Sequence, residues 1–119
     1  MYQFRDNQLH QITEDHSFVN RLVKIGKISQ AEARTHPQRN IIMRFVGYNT
    51  ELEVDLYSFV LQPGDWLMLC NSYFWQSVPD NEIEEVIKGY SHPDDVTKQL
   101  QKFEKLEWQD YVYIIVKMD

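Results

Sequence analysis

The sequence predicts an α+β fold, because strand-like segments and helix-like segments are grouped along the chain. Apolar residues follow strand periodicity in residues 2–12 and again in residues 41–70, and they follow helical spacing in residues 18–35 and 83–106. At 119 residues the chain is one domain at most, and 43% apolar with 25% charged residues is ordinary globular composition.

The elements can be justified in order. Tyr2 to Arg5 and Gln8 to Ile12 read as two short strands around the turn pair Asp6-Asn7, a hairpin. Phe18, Leu22 and Ile25 then repeat at helical spacing up to Gly26, a residue suited to closing a helix in the left-handed region. Ser29 and Glu32 have the spacing of a capping box, so a second short helix begins there and ends near His36, ahead of Pro37. Residues 41–46 and the alternating Leu52, Val54, Leu56, Ser58 and Val60 predict two strands. Pro63-Gly64-Asp65 predicts a turn into a third, Trp66 to Cys70, whose unbroken apolar run predicts a central strand covered on both faces.

Ile83, Val86, Ile87 and Tyr90 predict a core-facing amphipathic helix with Glu82, Glu84 and Glu85 on its wet side. Ser91 as a cap with Pro93 in the first turn opens another, carrying Val96, Leu100, Phe103 and Leu106 along one side. The two should pack antiparallel. Tyr111 to Val116, rich in β-branched and aromatic residues, reads as the last strand.

Composition narrows the function classes. Cys70 is the only cysteine, so neither an intramolecular disulfide nor a cysteine-rich zinc site holds the fold. Residues 1–60 are charge-balanced and the net charge of −6 arises in residues 61–119, which argues against nucleic acid as a partner. No apolar run reaches the ~18 residues of a membrane span and no signal peptide is evident, so the expected compartment is the cytoplasm, with no membrane partner.

Four stretches carry a resemblance. They are Gln11-Ile12-Thr13-Glu14-Asp15-His16-Ser17-Phe18-Val19-Asn20; Gly26-Lys27-Ile28-Ser29 through Glu32-Ala33 into His36-Pro37-Gln38-Arg39-Asn40; Leu61-Gln62-Pro63-Gly64-Asp65 with Leu67-Met68-Leu69-Cys70; and Asp110 before the last strand. Together they resemble the C-terminal half of the bacterial metal-dependent type 2C serine/threonine protein phosphatases, the PPM family. The resemblance implies antiparallel β-sheets with helices on the outside, half of an αββα sandwich, in a single partial domain over residues 1–119 with a flap-like segment at 15–40. It also implies two-metal hydrolysis of phosphoserine or phosphothreonine, with Mn or Mg held mainly by aspartates.

The chain departs from that pattern at the metal motifs. The family's early Glu-Asp and Asp-Gly-x-Gly fall in an N-terminal half that this chain does not contain. Where the family has Leu-Cys-Ser-Asp-Gly the chain has Leu69-Cys70-Asn71-Ser72-Tyr73, so Ser72 stands at a liganding carboxylate's position. Asp110 is the one ligand position retained, with Trp108 and Tyr111 in place of its glycine and asparagine neighbours. No catalytic residue and no metal site are therefore expected from this chain, and no cofactor unless Mn or Mg enters a completed phosphatase.

Other residues have simpler readings. His16 and His36 suit hydrogen bonding or capping, and Cys70 suits burial as a small hydrophobe. Tyr73, Phe74 and Trp75 follow a strand, which favours core packing, yet polar neighbours on both sides also fit a binding surface. The function expected from the sequence is a non-catalytic pseudophosphatase acting by protein binding as a regulator or scaffold; the alternative is the C-terminal part of a Mn/Mg-dependent phosphatase completed by a separate N-terminal half, and a third reading is a remnant. Half a sandwich leaves strand edges and apolar faces bare, so a homodimer or a protein complex is expected, with Tyr73, Phe74 and Trp75 as added interface.

Overall fold

The structure, a computed structural model, describes residues 1–47, 50–103 and 111–119. It divides into two compact units, one made of Met1–Thr13 with Phe59–Asp119 and the other of Glu14–Ser58.

The first unit is a four-stranded antiparallel sheet in the order β2-β1-β3-β4 with helices against one face. Strands β1 (Tyr2–Arg5) and β2 (Gln8–Gln11) form the expected hairpin, and both turn residues, Asp6 and Asn7, adopt positive φ (51° and 62°). That pair of left-handed residues gives the turn the twist that antiparallel strands require. Strand β3 (Trp66–Cys70) is internal, pairing Phe4 with Trp66 on one side and Met68 with Ile115 of β4 (Tyr113–Lys117) on the other.

Alternation then assigns the faces. Tyr2, Phe4, Trp66 and Met68 point into a core completed by Phe74, Val78, Ile83, Ile87, Val96 and Leu100, with Tyr113 and Ile115 packed against it. Helix α4 (Asp80–Gly89) contributes the two isoleucines, and helix α5 (Pro93–Leu100) contributes Val96 and Leu100, as their spacing predicts; Phe103 lies in the 3-10 turn Gln101–Phe103 that follows. Two details differ from the sequence reading. Tyr90 lies beyond the end of α4 and stays exposed, and the N-cap of α5 is His92, whose Nδ1 accepts from the Asp94 N–H, one residue after the serine expected to cap. Leu106, expected on the same stripe, lies outside the described residues.

β3 is central in pairing but not covered on both faces. Its second face places Leu67 opposite Val116 and Leu69 opposite Ile114, and Leu69, Ile114 and Val116 are all exposed. An unbroken apolar run records that both faces want cover; within this unit the helices supply it on one side only.

The second unit holds α1 (Phe18–Lys24) and α2 (Gln30–Thr35). The Ser17 hydroxyl caps α1 by accepting from the Asn20 N–H, and Gly26 at φ 71° helps close its end. The capping box of α2 is formed in both directions between Ser29 and Glu32, which holds the Glu32 carboxyl below its ordinary pKa. Here the burial departs from expectation: α1 buries Val19 rather than Ile25, and α2 buries Ala33.

The two strands expected over 41–46 and 52–60 are not formed among the described residues, apart from one bridge between Ser17 and Ile42. The physical reason is that a strand needs a neighbour. Their backbone forms no ladder among the described residues, and Ile42, Val46, Leu52, Val54, Leu56 and Val60 remain exposed. The helix α3 (Ser72–Ser77) was in turn not anticipated.

Candidate functional site

The β3–α3 junction is where the sequence placed a lost metal ligand and a possible binding surface. Asn71 ends the strand and caps α3, its side-chain oxygen accepting from the Phe74 N–H at 3.0 Å. Ser72 is the first residue of the helix and is exposed. Helical geometry then separates the three aromatics. Phe74 turns inward and is 1% exposed, edge-on to Tyr111 at 6.2 Å and tilted against Tyr113 at 5.0 Å. Trp75 is half-buried against the same core, and only Tyr73 faces solvent, at 38% exposure. Of the three residues assigned to a binding surface, Phe74 is thus a core residue; a one-turn helix cannot present three consecutive side chains on one side.

These residues do not fit a divalent cation. A hard cation needs several oxygen ligands in a compact cluster, whereas the Asn71 oxygen is engaged in the cap and Ser72 offers a neutral hydroxyl. No group of three or more His, Cys, Asp or Glu side chains is placed to hold a metal among the described residues. Asp110, the retained ligand position, and its neighbour Trp108 lie outside the described residues. Cys70 is half-buried at the end of β3 and is not in a disulfide.

Upstream of β3, the Pro63-Gly64-Asp65 turn is built around one carboxylate. Gly64 takes φ 91°, and Asp65, only 2% exposed, receives Arg5 on both oxygens, Gln3 Nε2 at 3.0 Å and the Gln62 N–H at 2.8 Å. The Arg5 guanidinium is the main reason that this carboxyl sits well below the usual carboxylate range, and the arginine is raised in turn. Arg5 also donates to the Val60 carbonyl at 2.8 Å, tying the approach to the turn onto β1.

The second unit contains a polar cluster that sequence reasoning missed. His16 Nε2 meets Asp55 at 2.7 Å; Arg44 donates to Asp55 at 2.9 Å and pairs with Glu53 at 3.0 Å. The Tyr57 hydroxyl accepts from the Glu14 N–H at 3.0 Å, and Lys24 pairs with Glu14 at 2.6 Å. Contacts to His16 and then Arg44 hold the Asp55 carboxyl below its ordinary value. His16 therefore has the hydrogen-bonding role its sequence suggested, and His36 likewise accepts from the Gln38 N–H through Nδ1. Alongside the cluster runs a cleft of about 360 Å³, lined in part by Ser17, Arg21, Arg44, Phe45 and Glu51. Its charges are largely compensated internally, so the arrangement orients side chains rather than concentrating one sign of charge. The only signal for it in the sequence is the alternation of Glu53, Asp55 and Tyr57 with apolar residues.

The four-stranded antiparallel sheet with helices on one face is a fold this chain shares with solved PPM phosphatases. Homologues of the chain are bacterial serine/threonine phosphatases and its structural neighbours are PPM phosphatases, which the chain matches as a partial PPM domain. It is 39% identical over 88 residues to the serine/threonine phosphatase stp of Listeria monocytogenes, covering 74% of this chain and 35% of that protein. It is 34% identical over 99 residues to the protein phosphatase PhpP of Streptococcus pneumoniae, covering 83% of this chain and 40% of that one. Among solved structures, the PPM Ser-Thr phosphatase MsPP of Mycobacterium smegmatis superposes at TM-score 0.82 with 25% identity, over 99% of this chain and 51% of that one. The catalytic domain of the phosphatase PstP, solved with two manganese ions, superposes at TM-score 0.78 with 29% identity, over 96% of this chain and 46% of that one. The chain spans about half or less of the length of these relatives. No family model matches the chain. No helix among the described residues is long and apolar enough to cross a membrane.

Proposed function

We propose that this chain provides the C-terminal part of a PPM serine/threonine phosphatase domain and works in phosphoserine or phosphothreonine hydrolysis only when set against a complementary N-terminal part. The observation that carries this reading is the match in shape: 99% of the chain superposes on MsPP at TM-score 0.82 while filling 51% of it. No dication site is grouped among the described residues, which do not include Asp110, and on this reading the complementary part brings most of the Mn or Mg ligands. The contribution of this chain is then scaffold and shape: a packed half-domain, the Arg5–Asp65 turn, and surfaces for assembly.

The test is reconstitution. The chain is mixed with an N-terminal fragment of the Listeria monocytogenes relative, and hydrolysis of a phosphothreonine peptide is followed with added Mn, beside each component alone. Turnover only in the mixture is expected. A stable complex without turnover supports a second reading, a non-catalytic regulator or scaffold acting by protein binding. Ser72 at the start of α3 and Asn71 engaged in its cap favour that second reading.

A further inference from the structure

β2 is an edge of the first unit's sheet, and the phase of its hydrogen bonds follows from the hairpin register. The Ile12 N–H donates to the Met1 carbonyl at 2.9 Å, and His10 and Leu9 stand opposite Gln3 and Phe4. Bonded and non-bonded pairs alternate along an antiparallel ladder, so His10 bonds to β1 while Leu9 turns its N–H and carbonyl outward, onto the edge. Such an edge adds strands readily unless something deters it, and residues 8–11 supply neither the lysine nor the proline that commonly does so. The deterrent comes from α4. Glu84 Oε2 accepts from the Leu9 N–H at 3.0 Å, while Lys88 Nζ donates to Oε1 at 2.7 Å. Both ends of this contact are held in place: Leu9 packs against the core, and Glu84 follows the buried Ile83 on α4. Lys88 first, and then the Leu9 N–H, keep the Glu84 carboxyl below its ordinary pKa, so a charged group occupies the edge.

We propose that Glu84 guards the β2 edge against strand pairing with a second copy of this chain. An added strand has to take over the Leu9 N–H, and in doing so it displaces a paired carboxylate and buries it against new backbone, which is costly. A second copy is the occupant because the edge is complementary to itself. Two β2 strands can run antiparallel about a two-fold axis, each offering the other the outward N–H and carbonyl of Leu9. Gln8, Leu9, neutral His10 and Gln11 carry no formal charge, so the strands themselves do not repel. The opposition at the seam comes from the two Glu84 carboxylates, one from each copy.

The experiment compares the intact chain with Glu84→Ala and Glu82→Ala across a concentration series in sedimentation velocity, with hydrogen exchange at the Leu9 amide. Glu84→Ala should self-associate about tenfold or more tightly than the parent. Its Leu9 amide should exchange faster than the parent's at low concentration, where the acceptor is gone, and slower at high concentration, where another copy supplies one. Glu82→Ala removes the same charge from an exposed position of the same helix and should behave as the parent. If Glu84→Ala loosens α4, read as a lowered urea midpoint, Glu84→Met decides in its place, because it keeps the aliphatic stem and lacks the acceptor. Association no tighter than the parent's overturns the guard. So does association that leaves the Leu9 amide in fast exchange, which puts the contact on another face, and so does equal association of Glu82→Ala, which makes net charge the cause. A parent that already protects Leu9 on self-association overturns it as well.

Discussion

The two units of this chain use their apolar residues in opposite ways. In the first, ten buried residues among those described form one core between a sheet face and helices α3 to α5. In the second, Val19 and Ala33 are the buried apolar residues among those described, while Ile25, Ile42, Phe45, Val46, Leu52, Val54 and Leu56 are exposed. Caps, a capping box and the His16–Asp55–Arg44 cluster give the second unit its order. Burial of apolar surface is the larger source of stability, and exposed ion pairs are worth little, so the first unit should be the stable half of the chain and the second the responsive one. The same contrast appears within the first unit, where one sheet face is packed and the other presents Leu69, Ile114 and Val116. The first unit closes the core that its own helices reach and leaves its other sheet face open.

The sharpest way to break the contrast is to empty the first core. Phe74→Ala removes a ring buried between helix and strand and is expected to cost about 3–5 kcal/mol, read as a shift of the urea midpoint. A loss near zero would mean that the sheet and helices do not form one cooperative core. Val19→Ala in the second unit deletes two methyl groups beside far less buried surface and should cost clearly less.

Asp65 tests the polar anchor of the first unit. Asp65→Ala strands the Arg5 guanidinium and the Gln62 N–H, and about 3 kcal/mol is expected to be lost. The sign of the pH dependence follows from the lowered native pKa. The anchor contributes fully above the unfolded value of 3.8 and loses its contribution as pH falls below that toward the depressed native value. The stability difference between parent and Asp65→Asn should therefore be constant above about pH 3.8 and shrink as pH falls below it. A difference that stays constant below pH 3.8 would show that the Arg5 pairing is not retained in solution.

Smaller effects sharpen the picture of the second unit. Ser29→Ala removes the hydroxyl that accepts the Glu32 N–H, and about 1 kcal/mol should be lost from α2. Hydrogen exchange should report that loss at residues 30–35 and leave β3 unchanged. In the parent, amides 29–38 should exchange faster than those of Trp66–Cys70, since β3 is paired on both sides. Equal protection would mean that the flap-like segment belongs to the rigid core.

Local signals determined much of this protein. The Asp6-Asn7 turn, the closing Gly26, the Ser29–Glu32 box, the isoleucine spacing of α4 and the β-branched last strand each act within a few residues, so a sequence shows them and the structure reproduces them. The motifs that resemble PPM phosphatases were readable for the same reason, and homologues bear the family out. Tertiary structure alone decided the rest. Residues 41–46 and 52–60 carry a strand pattern, but a strand exists only with a partner, and the described residues provide no more than the single bridge of Ile42 to Ser17. The open face of β3, the inward turn of Phe74 and the gathering of His16, Arg44 and Asp55 depend likewise on what lies across space. Sequence periodicity states which side of a segment wants cover; only the packed chain decides whether cover arrives.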